Sequence, residues 1–289
     1  MRRGIASAQG LHQAGRGGDH REMPICTYML RLSRRAAAAL LLATALLSGC
    51  ARSAHGVDSR EVSYLGASFR VVRIDLRREP LGLYWRDPVT GRPYRSIDAL
   101  RRWGEAHGKR LLFAANAGIY DRHTSPLGLY VENGRTLVPL NLAHGNPAAG
   151  NFSLLPNGVF AIYPDGHAAV RDSEDFKADG KQVQWATQSG PMLVIDGRLN
   201  PHFDERSTSL KWRSGVCAPN PHEAVFAVSE TPVNFHDFAT LFRDRLDCRD
   251  ALYLDGSISQ IYVDGAGYAG APAFMVKPYA GIFAVFGKP

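Results

Sequence analysis

Short segments of alternating apolar and polar residues recur along the chain from about residue 60 onward, with turn-forming residues between them. Such alternation is typical of strands that have one buried face. Residues 69–76 (FRVVRIDL) and 81–87 (LGLYWRD) are predicted to be paired strands. Residues 110–120 (RLLFAANAGIY) are mostly apolar, which predicts a central strand covered on both faces.

The middle of the chain has three segments in which Asn-Gly or Asp-Gly separates two apolar runs. They are residues 127–140 (LGLYVENGRTLVPL), 152–170 (FSLLPNGVFAIYPDGHAAV) and 190–199 (GPMLVIDGRL). Asn-Gly and Asp-Gly favour the tight turns that join neighbouring antiparallel strands. This part of the chain is therefore predicted to be antiparallel.

Two segments have the apolar spacing of helices. Residues 96–107 (SIDALRRWGEAH) begin with a serine that suits a helix N-cap, and residues 234–248 (NFHDFATLFRDRLDC) begin with Asn234, another N-cap residue. With more predicted strand than helix and no internal repeat, the expected fold class is α+β. We expect a single domain with a mixed, largely antiparallel sheet, hairpins and a few packed helices.

The formal net charge of +7 is concentrated at the amino terminus. Residues 1–49 contain seven arginines and two acidic residues, whereas the rest of the chain contains 27 basic and 25 acidic residues. Nucleic-acid binding requires a basic patch or stripe, and the nearly neutral remainder offers none. The sequence therefore argues against nucleic acid as a partner.

Residues 31–50 (RLSRRAAAALLLATALLSGC) combine a basic start, an apolar run and small residues before Cys50. The apolar run, residues 36–47, is shorter than the roughly 20 residues of a membrane-spanning helix. The segment resembles a bacterial lipoprotein signal, which would be cleaved before Cys50 and would leave lipid on the Cys50 sulfur. The alternatives are an ordinary signal peptide and an apolar helix that is cut short by chance.

The expected organisation follows from that signal. Residues 1–28 are predicted to be an upstream extension, residues 29–49 the lipoprotein signal peptide, residues 50–62 a tether and residues 63–289 the folded domain. The protein is expected in the bacterial cell envelope, periplasmic and attached to the membrane through the Cys50 lipid. In that oxidising compartment Cys217 and Cys248 can form a disulfide, with two buried free thiols as the alternative.

Several familiar kinds of site are excluded. Gly265, Gly267 and Gly270 have the G-x-G-x-x-G spacing, but Ala271-Pro272 follows where a dinucleotide site needs a helix. The sequence also lacks a Walker loop, an H-E-x-x-H motif, a C-x-x-C motif and a G-x-S-x-G elbow. No cofactor is required, although Asp255, Asp264 and Glu230 offer oxygen ligands for a divalent cation.

Polar residues next to glycine interrupt the apolar segments at several points, and such interruptions concentrate at functional sites. Taken in their order along the chain, these polar segments resemble the phosphodiester glycosidase family over residues 65–287. Part of the pattern also resembles a bacterial subgroup of this family. The resemblance is carried by Asn116-Ala117-Gly118, Ser125-Pro126-Leu127-Gly128-Leu129, Gln188-Ser189-Gly190-Pro191, Arg213-Ser214-Gly215 and Leu254-Asp255-Gly256-Ser257-Ile258-Ser259. The eukaryotic pattern has LDGGGS where this chain has LDGSIS, a departure that concerns the substrate more than the fold.

The resemblance implies hydrolysis of a sugar-1-phosphodiester in envelope or exopolysaccharide material, to a free sugar and a phosphomonoester. An anionic leaving group favours a fixed cation and backbone N–H donors in the site. Arg213 offers a planar guanidinium that matches phosphate oxygens, and Gly190 and Gly256 allow close backbone approach. Asp255, at a strand end, would face the positive charge that develops at the anomeric carbon. Because a phosphomonoester has a second pKa near 6, it leaves without strong acid assistance, and one carboxylate suffices.

Other polar residues near these breaks are further candidates. Glu230 is a candidate for a second catalytic carboxylate. His236 lies in the first turn of a predicted helix and is a further candidate for a catalytic residue. Candidates for hydrogen bonds to substrate are Asn116, Gln188, Ser189, Ser257 and Ser259, and candidates for stacking on a sugar are Tyr120, Trp185 and Trp212.

Three alternatives stay open at this point. Asp255-Gly256 is also a common turn pair. The protein could be a non-catalytic glycan-binding envelope lipoprotein, or a hydrolase of other phosphodiesters that cleaves the P–O bond.

Overall fold

The computed structural model describes residues 56–143 and 152–288, and in them three antiparallel sheets and three α-helices. The predicted extension, the signal peptide and Cys50 lie outside the described residues. Mostly antiparallel sheet with a few packed helices is the α+β fold class that the sequence predicts. None of the described helices has the length and apolar character needed to cross a membrane.

The first sheet has seven strands. They are β1 (Val57–Tyr64), β2 (Ala67–Asp75), β10 (Met192–Ile195), β11 (Arg198–Leu199), β12 (Ser214–Asn220), β13 (Glu223–Ser229) and β14 (Ala251–Asp255). Their order in space is β1-β2-β13-β12-β14-β10-β11, and every neighbouring pair is antiparallel. In this register Ser214, the first residue of β12, lies opposite Asp255, the last residue of β14.

The second and third sheets have five strands each. The second contains β3 (Leu81–Tyr84), β4 (Arg110–Asn116), β15 (Gln260–Val263), β16 (Gly267–Gly270) and β17 (Ile282–Gly287), in the order β16-β15-β4-β17-β3. The third contains β5 (Tyr130–Glu132), β6 (Arg135–Val138), β7 (Gly158–Ile162), β8 (Ala168–Asp172) and β9 (Trp185–Ser189), in the order β6-β5-β9-β7-β8. All of these pairs are antiparallel as well.

The predicted hairpins and the central strand are present. Asn133-Gly134 joins β5 to β6, Asp165-Gly166 joins β7 to β8, and Asp196-Gly197 joins β10 to β11. Both residues of the first and third turns have positive φ, which suits these dipeptides. β4 lies in the middle of its sheet, as its apolar sequence predicts.

Two details of the predicted organisation were wrong. β2 and β3 do not pair with each other, because β2 pairs with β1 and β13 whereas β3 pairs with β17 in another sheet. Residues 50–62 are not all tether, since β1 already begins at Val57 and pairs along its whole length with β2. β1 is mostly polar and partly exposed, so its sequence carries a weak strand signal, and the pairing with β2 forms it.

Both predicted helices form. α1 (Ile97–Ala106) is capped by Ser96, whose hydroxyl accepts a hydrogen bond from the Ala99 N–H. α3 (Phe235–Asp244) is capped in the same way by Asn234. The short α2 (Ser173–Asp179) was not predicted, because seven residues give too little apolar periodicity to recognise.

The three sheets enclose a shared apolar core, and each helix covers the outer face of one sheet. Phe226, Phe283 and Phe160, one from each sheet, contact one another in the shared core. α3 packs on the outer face of the first sheet, α1 on the second and α2 on the third. Cys217 of β12 forms a disulfide with Cys248, just before β14, so the pairing alternative of the sequence analysis is the one observed.

Candidate functional site

A cavity of about 330 Å³ opens where β14 ends and β12 begins. It contains both Asp255 and Arg213, the two residues that the sequence analysis places on opposite sides of the reacting bond. Its lining residues are Ile119, Tyr120, Ser209, Lys211, Arg213, Phe235, Tyr253, Asp255, Gly256, Ser257 and Ile258. Segments almost 140 positions apart in the chain therefore meet at this point.

Asp255 is the one carboxylate that lines this cavity in the described part of the chain. Its side chain is partly buried, and its Oδ1 accepts a 2.6 Å hydrogen bond from the Gly256 N–H. Burial raises the pKa of Asp255 to about 6, and the hydrogen bond from Gly256 limits the increase. Gly256 is needed here, because a Cβ at this position would lie 2.7 Å from the Tyr253 hydroxyl.

Arg213 is almost completely buried, with 1% of its surface exposed. Its Nε donates to the Val233 carbonyl and its Nη2 to the Ser209 carbonyl, each at 2.9 Å. The guanidinium lies 3.6 Å from the centre of the Phe235 ring and also interacts with Tyr253. These contacts fix the plane of the guanidinium, which suits a bidentate anion contact.

The charge of Arg213 has no carboxylate partner among the described residues. Its Nη1 is buried and has no hydrogen-bond acceptor among the described residues. Burial lowers the pKa of Arg213, but an arginine in a protein stays protonated. A buried cation with an unused donor at a cavity wall is an incomplete arrangement that an anionic ligand would complete.

Lys211 brings a second positive charge to the cavity. Its backbone exchanges two hydrogen bonds with Val233, the residue whose carbonyl also holds Arg213. The Lys211 side chain is exposed, and no ion pair holds it within the described ranges. The cavity thus has two cations and one carboxylate on its walls.

Three of the predicted substrate-binding residues form a buried network beneath the cavity. The Ser259 hydroxyl donates to the Asp255 carbonyl at 2.8 Å and lies 2.9 Å from the Ser214 hydroxyl, which accepts a bond from the Asn116 side chain. Asn116 also accepts the Gln260 N–H, and Ser189 donates to the Leu254 carbonyl. Asn116, Ser189 and Ser259 therefore position the strand ends and do not line the cavity.

Gln188 and Gly190 also lie outside the cavity. Gln188 is buried, and its amide makes four hydrogen bonds, to Leu129, Ser173 and twice to Asn141. Its hydrogen-bonding capacity is used within the protein. Gly190 packs against the Asn157 side chain, where any larger residue would clash.

The structure does not bring Glu230 or His236 to the cavity either. Glu230 lies at 3.5 Å from Arg70 of the neighbouring strand, and His236 contacts Asp237 on its own helix. The possible metal ligands are also separated, since Asp264 pairs with Arg110. Among the described residues no group of three or more His, Cys, Asp or Glu side chains could hold a metal ion.

Of the predicted residues, Asp255, Arg213, Gly256 and Ser257 line the cavity, as does Tyr120 among the stacking candidates. Trp185 and Trp212 do not. Sequence reasoning missed Tyr253, which could have been found, because residues two apart on a strand share a face and Tyr253 is two positions before Asp255. Phe235 and Ser209 gave no such signal, since only the tertiary structure brings them to Arg213.

Comparison with known proteins identifies relatives of this chain. The phosphodiester glycosidase family matches residues 109–286. The chain is 39% identical over 192 residues to the uncharacterized protein YigE of Escherichia coli (strain K12), covering 66% of this chain and 73% of that protein.

One solved structure shares the fold at low sequence identity. The catalytic domain of zebrafish N-acetylglucosamine-1-phosphodiester alpha-N-acetylglucosaminidase, auto-inhibited by its pro-peptide, matches with a TM-score of 0.55 and 14% identity. The match covers 79% of this chain and 81% of that one. A hypothetical protein from Synechocystis matches with a TM-score of 0.48 and 14% identity, over 80% of this chain and 61% of that one.

Proposed function

This chain belongs to the phosphodiester glycosidase family, and we propose that it hydrolyses the bond between the anomeric carbon of a sugar and the phosphate of a glycosyl-1-phosphodiester. The observation that carries the proposal is that Asp255 and Arg213 line one cavity. A carboxylate suits the positive charge that develops on the sugar, and a guanidinium suits the phosphate that leaves.

Arg213 and Lys211 are proposed to hold the phosphate. Nη1 of Arg213 is a buried donor that has no acceptor in the described part of the chain, and a phosphate oxygen would accept its hydrogen bond. As the C1–O bond breaks, its electron pair stays on the phosphate oxygen, so the two cations stabilise the charge of the phosphomonoester. The leaving group therefore departs without a separate acid, which is consistent with a single carboxylate in the described cavity wall.

Asp255 is proposed to act in its ionised form. Its carboxylate faces the sugar, where it stabilises positive charge at C1 and accepts the proton of the water that attacks C1. The water oxygen becomes the new hydroxyl of the sugar. The raised pKa of Asp255, about 6, makes it a better proton acceptor than an ordinary aspartate while leaving it ionised at neutral pH.

The test uses a synthetic sugar-1-phosphodiester with a chromogenic alcohol, coupled to a phosphatase so that the phosphomonoester is detected. The wild-type protein should release free sugar, and Asp255→Asn should abolish the release. In a separate reaction in oxygen-18 water without the phosphatase, the phosphomonoester should carry no label, because C1–O is the bond that breaks and the water oxygen goes to the sugar. Label in the phosphate would instead show P–O cleavage, and no release by the wild type would favour a glycan-binding protein.

The cellular setting is also a proposal, supported by the signal-like segment before Cys50. We propose that the mature protein is anchored to the bacterial envelope through lipid on Cys50 and acts on glycosyl phosphodiesters or polysaccharides outside the cytoplasm. Labelled fatty acid should enter the wild-type protein and not Cys50→Ser, which should be released in soluble form. Equal labelling of the two proteins would contradict the anchor.

A further inference from the structure

Two neighbouring cavities form one groove on the surface of the second and third sheets. They measure about 340 Å³ and about 420 Å³, and the exposed residues Gly108 and Lys109 lie in the walls of both. The wall of the smaller cavity also contains Tyr84, Trp185 and Phe286, so the groove is here called the aromatic groove. Because the two cavities have these wall residues in common, a ligand longer than either cavity can occupy both.

The aromatic groove lies far from the Asp255 cavity. Arg110, the first residue of β4, lines the groove, whereas Asn116, the last residue of β4, belongs to the network beneath Asp255. At about 3.3 Å per residue, these two ends of the strand are about 20 Å apart. β9 likewise begins at Trp185 in the groove and ends at Ser189, which bonds to β14. The groove is therefore a separate site at the opposite end of these strands.

Three aromatic rings give the groove a fixed apolar wall. Tyr84 stacks on Trp185, with ring centres 6.2 Å apart, and meets the Phe286 ring edge-on at 5.4 Å. All three side chains are partly exposed. Rings held in this way lose little freedom on binding, and the C–H face of a sugar ring packs well on an aromatic ring. Trp185, which the sequence analysis considers for stacking on a sugar, lies in this groove and not in the Asp255 cavity.

The charge of the groove is positive. Lys109 and Lys288 line the smaller cavity, and no carboxylate of the described residues does so. Neither lysine has an ion pair within the described part of the chain. In the larger cavity Arg110 is paired with Asp264, and Arg101 with Asp98 and Glu105. The unpaired charges are thus those of the two lysines, and they suit an anionic ligand.

We propose that the aromatic groove binds a polysaccharide chain that carries negative charges, at a site separate from the Asp255 cavity. The aromatic rings contact the apolar faces of the sugars, and Lys109 and Lys288 contact the anionic groups. A chain-like ligand suits two cavities joined end to end. A membrane surface suits them less, because the rings lie in the wall of a groove and do not protrude from it. The site would hold the protein on a polymer whether or not the Asp255 cavity is occupied.

The experiment uses calorimetry to compare the binding of two sugar hexamers to the full chain, acidic hexagalacturonate and neutral maltohexaose. The wild type should bind hexagalacturonate at least about fivefold more tightly at low ionic strength, and added salt should remove the difference. Lys109→Met should weaken binding of hexagalacturonate by about threefold or more and leave maltohexaose unchanged. Lys211→Met removes an exposed lysine from the Asp255 cavity instead and is the matched control, which should change neither affinity. Trp185→Leu should weaken both by about fivefold or more.

A second measurement locates the ligand in the wild type. In nuclear magnetic resonance spectra the indole N–H signal of Trp185 should shift when hexagalacturonate is added. The signal of Trp212, which is next to Lys211 and Arg213 in the chain, should not shift. This readout needs no substitution, so it holds even if Trp185→Leu does not fold.

Three results would overturn the inference. The first is that neither hexamer binds. The second is that Lys211→Met weakens binding and Lys109→Met does not, or that the Trp212 signal shifts in place of the Trp185 signal, since the ligand would then occupy the Asp255 cavity. The third is that Lys109→Met weakens binding to phosphatidylglycerol vesicles and not to hexagalacturonate, since the groove would then contact membranes. Neither hexamer contains phosphate, so these results do not depend on the hydrolysis of glycosyl-1-phosphodiesters.

Discussion

The Ser259 hydroxyl donates a 2.8 Å hydrogen bond to the backbone carbonyl of Asp255, four positions earlier in the chain. This bond closes the turn that follows β14, and the network continues through Ser214 of the same sheet to Asn116 of the second sheet. The carboxylate of Asp255 is therefore held in place by contacts made below the cavity. Rigid placement of a reacting group is a large part of catalysis, because misplacement by about 1 Å can cost about 100-fold in rate.

Ser259→Ala should lower kcat by about tenfold or more and leave KM within about twofold, because Ser259 supports Asp255 without lining the cavity. It should also lower the free energy of unfolding by about 1 to 2 kcal/mol, since the Asp255 carbonyl and the Ser214 hydroxyl lose a partner. Steady-state kinetics and urea unfolding measure the two effects. Ser63→Ala, on an exposed position of β1, is the matched control and should change neither. A change in KM alone would indicate direct contact with the substrate.

The activity should depend on the ionisation of Asp255. Because burial raises the pKa of this carboxyl to about 6, kcat/KM should be constant above about pH 7 and should fall tenfold for each pH unit well below 6. A pH–rate profile with a chromogenic substrate measures this limb. A profile that stays flat down to pH 4.5 would contradict the role of the ionised form.

Asp255→Asn should stabilise the protein at high pH and not at low pH. The folded state raises the pKa of Asp255 from 3.8 to about 6, so it favours the protonated form. The contribution of this group to stability is complete below about pH 4 and is lost as the pH rises through 6. At pH 8 the variant should gain up to about 3 kcal/mol, because one pKa unit corresponds to about 1.4 kcal/mol. Urea unfolding at pH 4 and pH 8 tests the difference, and equal gains at both pH values would refute it.

Substitutions of Lys211 and Arg213 should both lower kcat/KM, but only the substitution of Arg213 should lower the stability of the protein. Lys211→Met should lower kcat/KM by about tenfold with an unchanged melting temperature, since this side chain is exposed and its backbone bonds remain. Arg213→Met should lower kcat/KM by 100-fold or more, on the order of the loss of one transition-state donor. It should also lower the melting temperature, because the Val233 and Ser209 carbonyls lose their donors. Lys177→Met, on the exposed side of α2, is the control and should behave as wild type.

Gln188→Leu should act on stability alone. Leucine has a similar size but leaves the Leu129 and Asn141 N–H groups without an acceptor. The free energy of unfolding should therefore decrease by about 3 kcal/mol or more. At a low temperature, at which the variant stays folded, its KM should equal that of the wild type, because Gln188 does not line the cavity. Thermal unfolding and kinetics at 10 °C check the two parts. A large increase in KM with normal stability would restore the prediction that Gln188 binds substrate.

Local chemistry allowed much of the fold to be predicted. The turns at Asn133-Gly134 and Asp196-Gly197 and the caps Ser96 and Asn234 form as expected, because each depends on contacts between residues a few positions apart. The pairing of β2 with β13 could not be predicted in this way, since it joins residues about 150 positions apart.

The sequence by itself determined the hairpins, two of the helices and the α+β class. It also singled out the LDGSIS segment as a candidate site, since the polar residues of this segment interrupt a buried strand. The tertiary structure decided which polar residues share a cavity. It placed Asp255 in the cavity that Arg213 and Lys211 also line, directed Glu230 to Arg70, and enclosed Asn116 and Ser259 in a buried network. The physical reason is that a side chain's role depends on its neighbours in space, and strand register between distant segments, which no local pattern encodes, sets those neighbours.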